Sequence, residues 1–467
     1  MARAVDLSGP GLPPEKVDGS KSLYACVSVC KGYPSYIIYS IKLSQLLPYE
    51  YISKSKSKGC GSSSDSDSVT LCSLPTSTLT PISYPTISSA SPSSSSKEQE
   101  GCNSYSELKW NRFATLGGNG LPYGMNCCVM VSKIILVGGL FKSSEYSTWI
   151  FTLETNPALD PKPEFQNINK KKKKMKNNNN NRKNNFSLKP LSAGKSDPLL
   201  VEIEGRLYAL AGIPLMPFEE LPSPTFEVFD PSTQQWSPLP PPPFFNPNEP
   251  CCFAPWHYNA RACFDYFVMD SRISVCGPFS VGYTFDIPTK KWLRCSHFAI
   301  YAPFPFAGMG LMIKLSARGD KAIIGHDQHG NCLCAYFLHY SYGHCQSVPI
   351  PVDIPPEFAY CRPNFVHLGD GIICVVMAIA VAEFKELRIF VATFQVSRVN
   401  RQSIYLDLWE KWVTYDLDGH DDTDVDDTIA NRCKFIRFKI LNTHLSIYKS
   451  KPSKCKIFSD CIGAYLL

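Results

Sequence analysis

The densest collection of ligand-type side chains in the sequence lies between residues 326 and 345: His326, Asp327, His329, Cys332, Cys334, His339, His344 and Cys345. Imidazole, thiolate and carboxylate are the donors that zinc gathers, four at a time in a tetrahedron. Cys332 and Cys334 stand two apart, so on a strand they share one face, and His329 approaches from the preceding turn. The run lacks the Cys-x2-Cys and His-x3-His spacings of structural zinc sites. A free cysteine within a strand ordinarily packs as a small hydrophobe. The spacing therefore predicts packed thiols, with no metal and no cofactor.

Other chemical motifs fail on geometry. Asp421-Asp422-Thr423-Asp424-Val425-Asp426-Asp427 resembles a calcium loop, but counting from Asp422 puts Asp427 where glycine must turn and Cys433 where a bidentate acid must sit. It reads as an exposed acidic loop. Gly277-Pro278-Phe279-Ser280-Val281-Gly282 has two residues between Gly and Ser, whereas a nucleophile elbow has one. The phosphate-cradling GxxxxGK[ST] pattern does not occur. No catalytic set emerges, and the chain is not expected to be an enzyme.

The strongest charge feature is Lys170-Lys171-Lys172-Lys173-Lys174-Met175-Lys176, which runs into Asn177 to Asn181. Such a run serves nuclear import or a nucleic-acid patch, but its asparagine neighbour favours a solvated loop. The net charge of +6 is modest and much of it sits in this run, so nucleic acid is not an expected partner. Twenty cysteines in 467 residues fall below the density of a disulfide scaffold. The N-terminus shows no apolar leader, and the longest apolar run, residues 372–382, is too short to span a bilayer. A cytoplasmic location is expected, with the nucleus as the alternative the lysine run offers, and no membrane.

Elements that position these residues follow from composition and repetition. Aromatic residues make up 12% of the chain, Gly and Pro are frequent, and apolar residues rarely recur at helical spacing. That balance predicts many short strands joined by turns. Two segments match each other: Phe226-Glu227-Val228-Phe229-Asp230-Pro231-Ser232-Thr233-Gln234-Gln235-Trp236 and Gly282-Tyr283-Thr284-Phe285-Asp286-Ile287-Pro288-Thr289-Lys290-Lys291-Trp292. Phe-Asp, Thr and Trp fall in register, so one strand–turn–strand unit is copied along an array. Short strands ending in glycine precede each copy, finishing at Gly212 and Gly277, and a third strand, from Lys133, ends in Gly138-Gly139.

On these residues the chain resembles the kelch-repeat β-propellers, whose blades carry a strand ending in Gly-Gly, an aromatic-Asp strand, then a Trp. Gly138 and Gly139 match the diglycine, Gly212 and Gly277 its second glycine. Phe229, Asp230 and Trp236, then Phe285, Asp286 and Trp292, match the later part. The resemblance implies an all-β fold, a propeller of about six four-stranded blades. Fainter units fall at residues 321–338 and at residues 372–394 with Trp412, and a first one at residues 35–41 is completed by Trp110 after an insertion. Two low-complexity stretches, a Ser-rich one at about 53–104 and a Lys/Asn-rich one at about 166–187, are expected as disordered loops. The expected organisation is an N-terminal segment over 1–22, the array over 23–431, and a basic tail over 432–467, either a closing strand or an appendage.

The same resemblance implies function. Kelch propellers commonly act as protein-binding scaffolds or adaptors, and many are substrate receptors joined to an F-box or BTB domain. Leu12-Pro13-Pro14 opens like an F-box, but strand-like sequence begins by Leu23 and leaves no room for that helical domain; no BTB-sized segment exists. A monomeric scaffold that presents loops to a protein partner is therefore expected, the partner's identity being unreadable. The alternative from another class is a metal-dependent enzyme like the galactose-oxidase propellers, whose Tyr, Cys and His motifs do not align here.

Overall fold

Apolar runs broken by Gly, Pro, Asn and Ser dictate short extended segments and tight turns, and the computed structural model of the chain is built from them. It describes residues 5–6, 17–30, 33–53, 108–155, 166–167, 188–212, 220–245, 264–276, 282–295, 304–314, 321–327, 330–338, 346–381, 386–398, 436–449 and 458–467. The lysine run and the acidic loop lie outside these residues. Among the described residues the chain is all-β apart from one short α-helix and a few 3-10 turns. No helix among them is long and apolar enough to cross a membrane.

The first strands are β1 (Val5–Asp6), β2 (Val17–Asp18), β3 (Ser22–Cys30) and β4 (Pro34–Lys42). Helix α1 (Leu43–Leu46), β5 (Ile52–Ser53) and β6 (Asn111–Gly117) follow. β4 pairs with β6 in antiparallel register, Ser35 opposite Gly117 through Ser40 opposite Asn111, so the Ser-rich stretch interrupts a hairpin. Four antiparallel meanders come next. The first holds β7 (Asn126–Met130), β8 (Lys133–Val137), β9 (Ile150–Glu154) and β10 (Gln166–Asn167). The second holds β11 (Leu199–Ile203), β12 (Arg206–Leu210), β13 (Phe226–Asp230) and β14 (Gln235–Pro238). The third is β15 (Asp265–Met269), β16 (Arg272–Cys276), β17 (Tyr283–Asp286) and β18 (Lys291–Arg294). The fourth is β19 (Ala307–Lys314), β20 (Lys321–Asp327), β21 (Cys332–Leu338) and β22 (Gln346–Ile350).

The last strands are β23 (Asn364–Gly369), β24 (Ile372–Val381), β25 (Glu386–Arg398), β26 (Ile436–Lys449) and β27 (Phe458–Leu466). β23 to β26 form a further antiparallel meander, and β27 pairs along β3 from Phe458 opposite Cys30 to Leu466 opposite Leu23. An early strand and the last strand thus meet in one sheet. Beyond 432, β26 and β27 are strands of this sheet. The segment before 23 is likewise tied in, β1 against β19 and β2 against β5. The expected insertion boundaries also shift, because Ile52–Ser53 and Gln166–Asn167 are themselves strands; the bulk of both insertions lies outside the described residues.

Among the described residues no single sheet closes on itself; burial between sheets unites them. Ile38 and Tyr36 pack with Leu136 and Leu153, joining the unit of β27, β3, β4 and β6 to the β7–β10 unit. Ile135 and Val137 then pack with Leu207 and Phe229, and Leu210 and Phe226 with Val275 and Phe285. Phe267 and Cys276 meet Met312 and Ile323, and Leu311 and Ile324 meet Val375 and Phe394. Finally Val376 and Ile389 meet Leu23 and Ile41 of the starting unit. Every unit buries one face on its predecessor and the other on its successor, as the alternation of side chains across a strand requires.

The repeat residues explain themselves in this packing. Trp236 packs against Phe229 with the rings tilted and their centroids 5.3 Å apart, and donates its indole N–H to the Lys189 carbonyl at 2.8 Å. Trp292 packs against Phe285 with the rings tilted and their centroids 5.1 Å apart, meets Phe226 of the preceding unit with centroids 5.6 Å apart, and donates to the Pro240 carbonyl at 2.9 Å. Each Trp ties its outer strand to the lead-in of its own unit. Asp230 accepts from the Ser232 backbone N–H at 2.9 Å and lies 3.4 Å from Arg206; Asp286 accepts from the Thr289 N–H at 3.2 Å and pairs with Arg272 at 2.9 Å. The aspartate therefore pins the hairpin turn and the neighbouring strand together. A side chain on Gly138 (φ +78°) would run into the Lys195 carbonyl, and one on Gly212 into that of Ser196. Gly139 donates its N–H to the Lys195 carbonyl at 2.7 Å. Gly138 and Gly139 thus admit the lead-in of the next unit, and Gly212 the lead-in of its own. Gly277 lies outside the described residues.

Bonds from Thr289 and Arg272 hold the Asp286 carboxyl below its ordinary value of 3.8. A carboxyl depressed on folding stabilises the folded state above the unfolded value and loses that contribution as pH falls through the folded one. Asp286→Asn should therefore flatten the acid limb of the stability–pH curve below about 4, measured by urea midpoints across pH, with little change in its shape near neutrality.

Candidate functional site

The first strands of the units come together. β15 pairs in parallel with β19, β7 touches β11 and β27, and β23 touches β19 and β27. Residues from β7, β11, β15, β19, β23 and β27 line one cavity of about 150 Å³. Its apolar wall includes Val129, Leu200, Met309 and Ala464, whereas Asp197, Arg362 and Asn364 lie where their strands begin and Glu202 near the other end of β11.

Asp197 is placed there by an unusual backbone. Its φ is +42°, its N–H donates to the Gly124 carbonyl at 2.8 Å, and the Ser196 hydroxyl donates to its carboxylate at 3.0 Å. A left-handed conformation at a non-glycine residue is costly and persists only where surroundings enforce it. Gly124 is part of that enforcement, since a side chain there would lie 2.6 Å from the carboxylate. Beside the cavity, Asp265 accepts the Gly308 N–H at 2.6 Å and faces Arg362 at 3.6 Å. Arg362, which lines the cavity, also donates to the Phe264 carbonyl at 3.1 Å. Burial pushes the Asp265 carboxyl up, opposed by Arg362 and the Gly308 N–H.

The reactive residue types in the cavity are shifted away from reactivity. Burial raises the Cys127 and Cys128 thiols well above their ordinary value, pushes the Tyr266 phenol up to about 12, and raises Tyr465, whose hydroxyl donates to the Cys127 carbonyl. A nucleophilic thiol needs the opposite shift. What the site offers is a fixed pattern of carboxylate, guanidinium and amide groups above an apolar wall, suited to holding a polar segment of a ligand.

The cluster singled out in the sequence is split by the fold. On the β20–β21 hairpin Asp327 sits opposite Cys332 in register. The Cys332 and Cys334 sulfurs lie 3.5 Å apart, sharing a face as their spacing predicts. Asp327, Cys332 and Cys334 bring their ligand atoms within 4.8 Å of one another. His326 goes to the other side, fully buried, its Nδ1 3.1 Å from the Cys361 carbonyl, and burial lowers its pKa. His329, His339, His344 and Cys345 lie outside the described residues. The hairpin ends on the same side as the polar end of the cavity, because His326 pairs with Ala307, next to the cavity-lining Gly308. Sequence reasoning missed the cavity residues Asp197 and Arg362; the only local signal was Ser-Asp-Pro before an apolar run.

The family described as "Protein of unknown function (DUF1668)" matches residues 183–411, just under half of the chain. Its match takes in Asp197, Arg362, Asp327 and both cysteines. No curated protein matches the chain.

Proposed function

We propose that the chain is a kelch-type β-propeller of six four-stranded blades that acts as a protein-binding module, receiving a segment of its partner at the polar end of the axial cavity. The observation that carries this reading is the cavity, lined by the first strand of every unit and with Asp197, Arg362 and Asn364 among its lining. A rigid array whose loops converge on one opening is a recurrent way to present recognition side chains. Supporting it, each unit packs on its neighbours and the last packs on the first. Tyr360, two residues before the cavity-lining Arg362 and 84% exposed, offers a large aromatic side chain on the same segment. Exposed Tyr and Arg are the residues that most often dominate protein interfaces.

A partner of this kind would present a polar loop or terminus able to satisfy both a carboxylate and a guanidinium. The module works as a monomer in the cytoplasm, and no step of chemistry is assigned to it. The test is affinity purification of the chain from its own cells with mass spectrometry, repeated with Tyr360→Ala. A partner retained by the unaltered chain and bound at least about tenfold more weakly by Tyr360→Ala, at unchanged thermal stability, is the expected result. A partner held equally by both, or well-folded protein that retains none, would remove this site from consideration.

A further inference from the structure

We propose that Asp327, Cys332 and Cys334 form a binding site for a thiophilic divalent cation of the zinc class. This inference rests on the β20–β21 hairpin alone and stands or falls independently of the propeller reading. Two sulfurs and a carboxylate are a donor set that zinc accepts, and their ligand atoms already lie within 4.8 Å of one another. Tetrahedral zinc with Zn–S of about 2.3 Å and Zn–O of about 2.1 Å would place two sulfurs ~3.8 Å apart and a sulfur and an oxygen ~3.6 Å apart. The observed sulfur–sulfur distance is 3.5 Å, so the thiols need to move only a few tenths of an ångström.

The frame that holds the donors is not free to drift. Asp327 and Cys332 are cross-strand partners, and Cys334 lies two residues further on the same face, opposite Gly325. The turn contributes a second fitted feature. A side chain on Gly330 would come 3.1 Å from the Cys332 sulfur and 3.3 Å from the Asp327 carboxylate, so glycine leaves room for the donors to converge. Asp327 and Cys332 are part-exposed while Cys334 is buried, which gives an ion an entry path and leaves a fourth position for water. Uptake replaces two S–H protons by two metal–sulfur bonds and releases both protons to solvent.

The test uses the full chain, reduced and kept free of oxygen, titrated with Co²⁺ and then displaced by Zn²⁺. The expected result is saturation at one equivalent with a sulfur-to-cobalt charge-transfer band in the near ultraviolet. Cys332→Ser/Cys334→Ser should abolish the band and weaken Zn²⁺ by more than the ~100-fold that loss of an outer ligand partner costs. Cys30→Ser, a part-exposed thiol elsewhere, should change neither. Asp327→Asn keeps both sulfurs and guards against misfolding of the double variant; it should keep the far-ultraviolet circular dichroism and weaken the metal at least about tenfold. No saturable binding, undiminished binding by a folded double variant, or undiminished binding by Asp327→Asn would overturn the proposal.

Discussion

A chain shortened by residues 458–467 is expected to lose cooperative unfolding and to aggregate, although the removed segment is only a few per cent of its length. β27 occupies the position between β3 and β24, pairing with β3 over nearly its whole length and with β24 at Ile379 opposite Asp460. Ser22 and Leu467 exchange both backbone bonds at 2.9 and 3.0 Å, fastening the end of the pairing. Without β27, the backbone of β3 becomes an open edge beside the buried Leu23, Ala25 and Val27. Ile462, Ala464 and Tyr465 would also leave the cavity wall. Long apolar edges recruit other chains. Size-exclusion chromatography and thermal melts check this; a shortened chain that remains monomeric and melts in one sharp transition would contradict it.

Lys195→Met is expected to cost about 3–5 kcal/mol, the range for leaving one charge of a buried pair alone. Lys195 and Glu227 lie 2.7 Å apart and both side chains are fully buried. Lys195 also donates to the Pro224 carbonyl at 2.7 Å, and Glu227 accepts the Ser192 N–H at 3.1 Å. Burial lowers the Lys195 ammonium, and Glu227 works against that shift by favouring the charged form. The pair joins the lead-in of the β11–β14 unit to its own third strand, directly beneath the Gly138-Gly139 turn of the preceding unit. Methionine fills the volume but strands the Glu227 carboxylate in the core. Urea unfolding at unchanged slope reads the loss; a change within ±0.5 kcal/mol, typical of surface positions, would show that the pair is not buried in solution.

How much of this was legible in the sequence depends on how local each feature is. β12, β13, β16 and β17 announce themselves because apolar residues, a Phe-Asp pair, turn residues and a Trp recur in order. The shared face of Cys332 and Cys334 follows from the two-residue period of a strand, and β6 was reachable through Trp110. β26 and β27 were not, because they carry no repeat motif: β26 is basic and pairs with β25 across a long connection, and β27 gains its place by pairing with β3, more than four hundred residues earlier. The Lys195–Glu227 pair was hidden for a related reason: Ala-Gly-Lys-Ser-Asp-Pro reads as a solvated loop, and nothing local marks its lysine as buried. The cavity is the least legible of all, since Met125, Asp197, Phe264, Gly308 and Arg362 become neighbours only when every unit is in place. Asp327 joined the two cysteines through hairpin register, which spacing alone did not supply.

The measurement that bears most directly on the account is native-state hydrogen exchange of the full chain, followed peptide by peptide. A ring of six blades joined through β27 predicts that the amides of residues 458–466 are protected to the same degree as those of 22–30 and 372–381, and lose protection with them as denaturant rises. Rapid exchange across 458–466, with the rest of the chain still protected, would contradict a ring closed by its last strand and with it the cavity on which the binding proposal rests.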